Sequence, residues 1–154
     1  MTLHFAYGSN MSRPHMQARC PGAIALGTAT LSGWRFVINP DGYGSIVPQQ
    51  GGTVLGVLWE LTARDLAALN AYENVAGGLY MRRILPVLHD GRREQALVYV
   101  ARRQGEGTPR PAYIALVVAA ARDWGLPQPY IRSLMRWSPS AWQGARARDT
   151  GEFG

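Results

Sequence analysis

The stretch Leu3-His4-Phe5-Ala6-Tyr7-Gly8-Ser9-Asn10 sets the start of the fold. Its apolar residues predict a short buried strand, and the small polar residues behind them predict a turn into a helix. Ser9, Asn10 or Ser12 can each cap such a helix, which leaves backbone N–H groups without carbonyl partners. Free donors at the positive end of a helix dipole suit a carboxylate or a developing oxyanion. A plain strand-to-helix turn explains the tetrapeptide equally well, so a second feature has to decide.

The rest of the chain alternates strands, joined by tight turns, with short helices. Strands are predicted at residues 3–6, 23–31, 35–38, 43–47, 53–61, 80–89 and 95–102, and helices at 12–19, 62–72, 111–124 and 127–137. Turn signals such as Asn39-Pro40-Asp41-Gly42 and Asp90-Gly91 join strands that follow one another directly. We therefore expect an α+β fold, with a small, mainly antiparallel sheet that curls into a β-barrel beside flanking helices. The 154 residues are expected to form one domain, with a loose polar tail over about residues 139–154.

Composition predicts an ordinary globular protein of the cytoplasm. Hydrophobic residues make up 47% and charged residues 17% of the chain. The longest apolar segment, residues 112–121, has about half the length that a bilayer requires, so no membrane partner is expected. The N-terminus enters a strand without a basic leader, and the single Cys20 forms no internal disulfide.

The net charge of +6 is carried without any lysine, since all sixteen basic residues are arginine. They are spread along the chain singly or in pairs, and no block of five or six appears. No nucleic-acid-binding motif accompanies them, so we expect no nucleic-acid partner. The charge is better suited to attracting small anionic substrates.

Glu73 is the second feature that carries chemical information. It lies at the C-terminal end of a predicted helix, where the helix dipole disfavours a negative charge. Burial in a cleft would favour its protonated form further and suit it to general acid–base work. A solvated glutamate on a fraying last turn is the alternative. Gly77 and Gly78 allow a tight turn after it, and Tyr80 then opens a strand with its hydroxyl available to the same cleft.

Four segments together resemble the γ-glutamylcyclotransferase family. Phe5-Ala6-Tyr7-Gly8-Ser9-Asn10-Met11 resembles the family's signature opening. Leu69-Asn70-Ala71-Tyr72-Glu73, followed by Gly78-Leu79-Tyr80-Met81, is similar to its second signature, in which a Glu precedes a Tyr by seven residues. Pro111-Ala112-Tyr113-Ile114 and Gly125-Leu126-Pro127 resemble the late helix and the break after it. The segments occur in the family's order and span most of the chain.

This resemblance implies a small closed β-barrel with flanking helices and an intramolecular reaction. The α-amine of a small γ-glutamyl substrate would attack its own γ-carbonyl, releasing 5-oxoproline and an amino acid or amine. Glu73 would be the general acid/base, and no metal or cofactor would be needed. The residues that would bind substrate are His4, Phe5, Ala6, Tyr7, Gly8, Ser9, Tyr80 and Tyr113.

Two positions depart from the family pattern. Asn70 stands where the family usually has Asp, and Asn74 stands where a Gly commonly follows the Glu. Asn tolerates left-handed backbone conformations, so the turn after Glu73 is expected to form. The departures leave open a non-catalytic module of the same fold that binds γ-glutamyl compounds or anions. The leaving group, and whether the protein is a monomer or homodimer, also stay open.

Overall fold

A computed structural model describes residues 1–138, which form a five-stranded barrel with helices packed outside it. The strands are β1 (Thr2–Ala6), β2 (Ile24–Ile38), β3 (Gly44–Leu61), β4 (Tyr80–His89) and β5 (Arg92–Ala101). The helices are α1 (Arg13–Arg19), α2 (Ala63–Tyr72), α3 (Tyr113–Asp123) and α4 (Gln128–Met135), with a 3-10 turn at Ser9–Met11. The predicted tail at 139–154 lies outside the described residues.

The strand order around the barrel is β1-β3-β2-β4-β5, and it closes where β5 meets β1. His4 lies opposite Leu97 at this closure, the one parallel contact among the described strands; the other pairings are antiparallel. The prediction of an α+β fold with a mainly antiparallel barrel is confirmed. Closure matters for the site because it brings the end of β1 beside the end of β5.

The prediction of four strands between residues 23 and 61 was wrong in number, because two long strands lie there on either side of the predicted turn at residues 39–42. Residues 24–38 form one strand, and the turn predicted around Gly33 is a register shift between Ser32 and Trp34. Gly33 has φ of 86°, so the glycine that suggested a turn serves a bulge that bends the strand instead. Residues 44–61 likewise form one strand. The β4–β5 hairpin turns at Asp90-Gly91 as predicted, with φ of 50° and 74°.

Helices α3 and α4 each pack an apolar face into the core that the barrel strands share. α3 buries Ile114, Val117 and Ala121, and α4 buries Ile131 and Leu134. Burying one large aliphatic side chain contributes about 1.5–3 kcal/mol, so this packing holds both helices firmly against the sheet. Within residues 1–138, no helix is both long and apolar enough to cross a membrane.

Candidate active site at the end of helix α2

Helix α2 ends in a tight hydrogen-bonded turn that fixes Glu73. The Val75 N–H donates to the Asn70 carbonyl and the Asn74 N–H to the Ala71 carbonyl, both at 3.1 Å. This pattern is the Schellman motif, which requires a left-handed residue just after the helix. Asn74 takes that position with φ of 53°, as predicted from its tolerance of this conformation. Glu73 is therefore the last residue before a sharp reversal of the chain.

The Glu73 side chain is fully buried, so the alternative of a solvated glutamate on a fraying turn was wrong. The Asn10 side-chain amide donates from Nδ2 to Oε1 of Glu73 at 2.9 Å. This bond joins the two segments that the sequence singled out, although they lie 63 residues apart in the chain. A buried carboxylate needs such donors because it has lost its hydration.

Arg19, the last residue of α1, binds the same two segments from the opposite side. Its Nη1 donates to Ser9 Oγ at 3.1 Å and to Asn10 Oδ1, and its Nη2 donates to the Tyr72 hydroxyl. The guanidinium carbon also lies 3.7 Å from the centre of the Tyr72 ring. One cation thus contacts the turn after β1 and the residue directly before Glu73.

The charge of Glu73 acts on the hydroxyl groups of four buried tyrosines. Burial raises the pKa of each hydroxyl, and the negative charge of Glu73 raises it further. All four are therefore neutral O–H groups at ordinary pH, and all four lie within electrostatic reach of one carboxylate. They lie just after β1, at the start of β4, near the end of β5 and at the start of α3: Tyr7, Tyr80, Tyr99 and Tyr113.

Three of these hydroxyls make short hydrogen bonds that tie the site to the barrel. Tyr7 donates to the Tyr99 carbonyl, Tyr80 to the Gly44 carbonyl and Tyr99 to Asn70 Oδ1, each at 2.6 Å. The Asn70 oxygen accepts this bond as an Asp oxygen would, so the departure at this position keeps an acceptor for Tyr99.

Gly44 allows the Tyr113 hydroxyl to approach the backbone closely. A Cβ at Gly44 would lie 2.7 Å from that hydroxyl oxygen and 3.0 Å from the Phe36 ring. The backbone of Gly44 and of Ser9 hydrogen-bonds to the Tyr113 hydroxyl. The turn after β1 therefore already engages a small oxygen-containing group from α3.

The predicted binding stretch from His4 to Ser9 divides between a strand and a turn. His4, Phe5 and Ala6 lie in β1. The His4 Nδ1 bonds the Leu97 carbonyl at 3.0 Å, and burial lowers its pKa to about 4, so the ring is neutral. A Cβ on Gly56 would come within 2.2 Å of the Ala6 carbonyl and 2.9 Å of the Phe5 ring. These contacts place the three residues in the wall of the barrel.

Tyr7, Gly8 and Ser9 form the turn itself, but a 3-10 turn rather than α1 follows directly. The Met11 N–H donates to the Gly8 carbonyl at 3.0 Å. Helix α1 begins later, at a cap where Ser12 Oγ accepts from the His15 N–H at 3.4 Å. Of the three candidate caps, Ser12 is therefore the one used, and the helix predicted over residues 12–19 is confirmed, with one 3-10 turn before its cap.

Other reactive groups of the described chain do not assemble a second centre. Cys20 is buried, donates from its thiol to the Asp65 carbonyl at 3.4 Å, and burial raises its pKa to about 11. A protonated, packed thiol is a poor nucleophile. Within residues 1–138, no three His, Cys, Asp or Glu side chains lie close enough together to hold a metal ion.

Sequence reasoning missed Asn10, Arg19 and Tyr99 as members of the site. Asn10 was considered only as a helix cap, although its place in the first signature was a usable signal. Arg19 and Tyr99 carry no local signal, because their contacts depend on the path of α1 and on the closure of the barrel.

Comparison with known proteins identifies the family. The sequence matches the family described as "Gamma-glutamyl cyclotransferase, AIG2-like" over residues 4–124. The chain belongs to this family of γ-glutamylcyclotransferase-type enzymes, as the resemblance in its sequence predicted.

Its relatives are similar over most of their length. The γ-glutamylcyclotransferases of Bos taurus and Mus musculus are 28% and 26% identical to it, over 92% of this chain and 81% of each relative. A solved structure named "Gamma-glutamyl cyclotransferase" superposes with a TM-score of 0.81 at 24% identity, covering 99% of this chain and 93% of that one. That superposition shows that the fold is shared.

Proposed function

We propose that this protein cyclises a small γ-glutamyl compound to 5-oxoproline and uses Glu73 as its general acid/base. The observation that carries the proposal is the burial of Glu73 at the C-terminal end of α2, where it accepts a hydrogen bond from Asn10. A helix dipole does not favour a carboxylate there, so stability gives little reason for its position. Proton transfer gives a reason.

The reaction needs one group that both accepts and donates a proton. The substrate α-amine loses a proton to Glu73 as its nitrogen forms a bond to the γ-carbonyl carbon. The resulting tetrahedral oxyanion collapses, the original γ-amide C–N bond breaks, and the departing amine takes the proton back. The products are 5-oxoproline and a free amine or amino acid, with no water consumed and no change of redox state.

The surrounding groups supply the remaining requirements. We propose that the backbone of the turn at Tyr7, Gly8 and Ser9 supplies donors in a site closed to bulk water, where hydrogen bonds to a developing oxyanion are strong. The nucleophile and the carbonyl belong to one molecule, so a site that folds the glutamyl chain gains a large proximity advantage. Tyr80 and Tyr113 are proposed to contact this folded chain, because both lie in reach of Glu73's charge.

The alternative hypothesis, a non-catalytic binding module, rested on the residues near Glu73 that depart from the family pattern. Asn70 still accepts the Tyr99 hydroxyl bond, and Asn74 still adopts the left-handed conformation. Neither change removes a group that the reaction uses, so no observation favours the module over the enzyme.

The test is release of 5-oxoproline from a panel of γ-glutamyl dipeptides and γ-glutamyl amines. We expect product from at least one member with the parent protein and a loss of about 100-fold or more in kcat for Glu73→Gln. Glu60→Gln, a carboxylate change on β3 away from α2's end, is the matched control and should keep parental kcat. Full activity of Glu73→Gln would overturn the assignment of the base. Saturable binding of panel members without turnover by the parent would establish the module instead.

A further inference from the structure

Asn10 and Glu73 depend on a third residue that the proposed reaction does not use directly. An asparagine amide presents an oxygen and an NH2 group of nearly the same shape, so packing alone does not decide which of them faces a neighbour. In this site Nδ2 faces Glu73, and Oδ1 faces Arg19. The reverse orientation would aim the amide oxygen at a carboxylate and lose both hydrogen bonds.

A guanidinium decides this orientation because it only donates hydrogen bonds. We propose that Arg19 is a positioning residue for Glu73: it holds the Asn10 amide with its NH2 group toward the carboxylate. The inference rests on the proposed function for its kinetic consequences, but the orientation itself is a property of the folded protein. It assigns Arg19 no contact with the reacting atoms.

The second half of the argument is how firmly Arg19 itself is held. Its guanidinium stacks on the Tyr72 ring at 3.7 Å and donates to the Tyr72 hydroxyl, while its other amino group reaches Ser9 and Asn10. A stacked, forked cation has few alternative positions, unlike the single point charge of a lysine. Since Tyr72 directly precedes Glu73, Arg19 fixes the donor and the backbone of the acceptor at once.

Helix α1 offers a matched control at its other end. The guanidinium carbon of Arg13 lies 3.7 Å over the Trp124 ring, the same distance at which Arg19 lies over Tyr72. Replacing either residue with methionine keeps an apolar stem and removes one charge and one stacked guanidinium. A loss of stability from stacking should therefore be similar in Arg13→Met and Arg19→Met, whereas only Arg19→Met should disturb Asn10.

The kinetic experiment is a double-mutant cycle between Arg19→Met and Asn10→Ala. We expect Arg19→Met to lower kcat for 5-oxoproline release by about 10- to 100-fold with a smaller change in KM, the effect of losing a hydrogen bond to a charged group. Arg13→Met should stay within about twofold of the parent, as surface changes usually do. The double variant should be no slower than the slower single variant, because Arg19 acts through Asn10. Arg19→Lys should recover part of the loss. The proposal would be overturned if the reductions in kcat of the two single variants multiplied in the double variant, or if Arg19→Met kept the parental kcat.

A second readout does not require turnover and so separates this inference from the proposed function. The side-chain amide of Asn10 gives a nitrogen–proton NMR signal that can be assigned from the Asn10→Ala spectrum. We expect this signal to shift and lose protection from solvent exchange in Arg19→Met and to keep its parental position in Arg13→Met. An unchanged signal in Arg19→Met would refute the positioning role, even if the parent protein released no 5-oxoproline.

Discussion

Helix α2 carries a buried carboxylate at each end, and the two ends differ in every other respect. Asp65, in the first turn, accepts from the Thr62 N–H at 3.3 Å and from the Gly22 N–H at 3.2 Å. The dipole favours a negative charge there, and Thr62 completes a capping box with it. Glu73 lies at the opposite pole, with the Asn10 amide as a donor and tyrosine hydroxyls around it.

The contrast shows how to separate a carboxylate that holds the fold from one that does chemistry. Both are almost completely removed from solvent, so burial does not distinguish them. The end of the helix at which each carboxylate lies does distinguish them. A negative charge at the C-terminal end opposes the helix dipole, so a reason other than stability has to account for it. Conservative amide substitutions at the two ends should therefore have opposite consequences.

The largest expected effect is at the C-terminal end. Glu73→Gln should lower kcat by about 100-fold or more, since the amide does not exchange a proton with the substrate amine. Its unfolding midpoint should stay at the parental value or rise, because the amide oxygen still accepts from Asn10 and a buried charge is removed. Parallel measurement of 5-oxoproline release and urea unfolding checks both statements. Unfolding at markedly lower urea would show that Glu73 supports the fold as Asp65 does.

His4 extends the comparison to a buried base. Its pKa is lowered to about 4, from 6.5, by burial, so between these values the unfolded chain binds more protons than the folded one. The free energy of unfolding should therefore decrease as pH falls from 6.5 towards 4, by up to about 3 kcal/mol for this group. His4→Gln, whose amide can still donate to the Leu97 carbonyl, should reduce this acid sensitivity.

His89 is the matched control for that experiment. Its Nδ1 also bonds a backbone carbonyl, that of Thr28 at 2.9 Å, but 15% of its side chain is exposed. His89→Gln, measured in parallel, shows what replacing a more exposed histidine by glutamine does to the same unfolding curves. If the free energy of unfolding fell equally with decreasing pH in the parent and in His4→Gln, His4 would gain its proton without opening the barrel wall.

At the N-terminal end of α2 the effect should fall on stability. Asp65→Asn replaces one carboxylate oxygen with an NH2 group that faces a backbone donor, which should lower the free energy of unfolding by about 1–3 kcal/mol. Below its unfolding temperature the variant should keep parental kcat. Asp123→Asn, an exposed change at the end of α3, should leave unfolding within about 0.5 kcal/mol of the parent. A strong loss of kcat in folded Asp65→Asn would mean that the two ends are coupled.

Local features of the sequence were enough to predict much of this arrangement. The caps at Ser12 and Thr62, the β4–β5 hairpin and the meeting of the first turn with Glu73 all follow from short motifs. Signals that serve two structures were misread, as at Gly33, where a positive φ belongs to a bulge within a strand. Contacts set by long-range closure had no local signal.

Tyr99 illustrates that last limit. It lies on β5, and its carbonyl receives the Tyr7 hydroxyl bond only because β5 closes the barrel against β1. Arg19 is the last residue of α1, and it contacts Asn10 only because the path of α1 brings its end back to the turn after β1. Neither geometry can be read from residue types at short spacing, since both depend on how distant elements dock.

The smallest expected effect concerns the turn that ends α2. Asn74 has φ of 53°, and its Oδ1 accepts from the Gly77 N–H at 3.2 Å. Asn74→Gly removes that bond but also removes the Cβ strain of the left-handed conformation, so urea unfolding should change by less than about 1 kcal/mol. Asn74→Ala removes the bond and keeps the Cβ, so it should be less stable than the parent by about 1–2 kcal/mol. If Asn74→Ala instead matched the parent, the end of α2 would not need its left-handed residue, and the sharp stop that fixes Glu73 would have another cause.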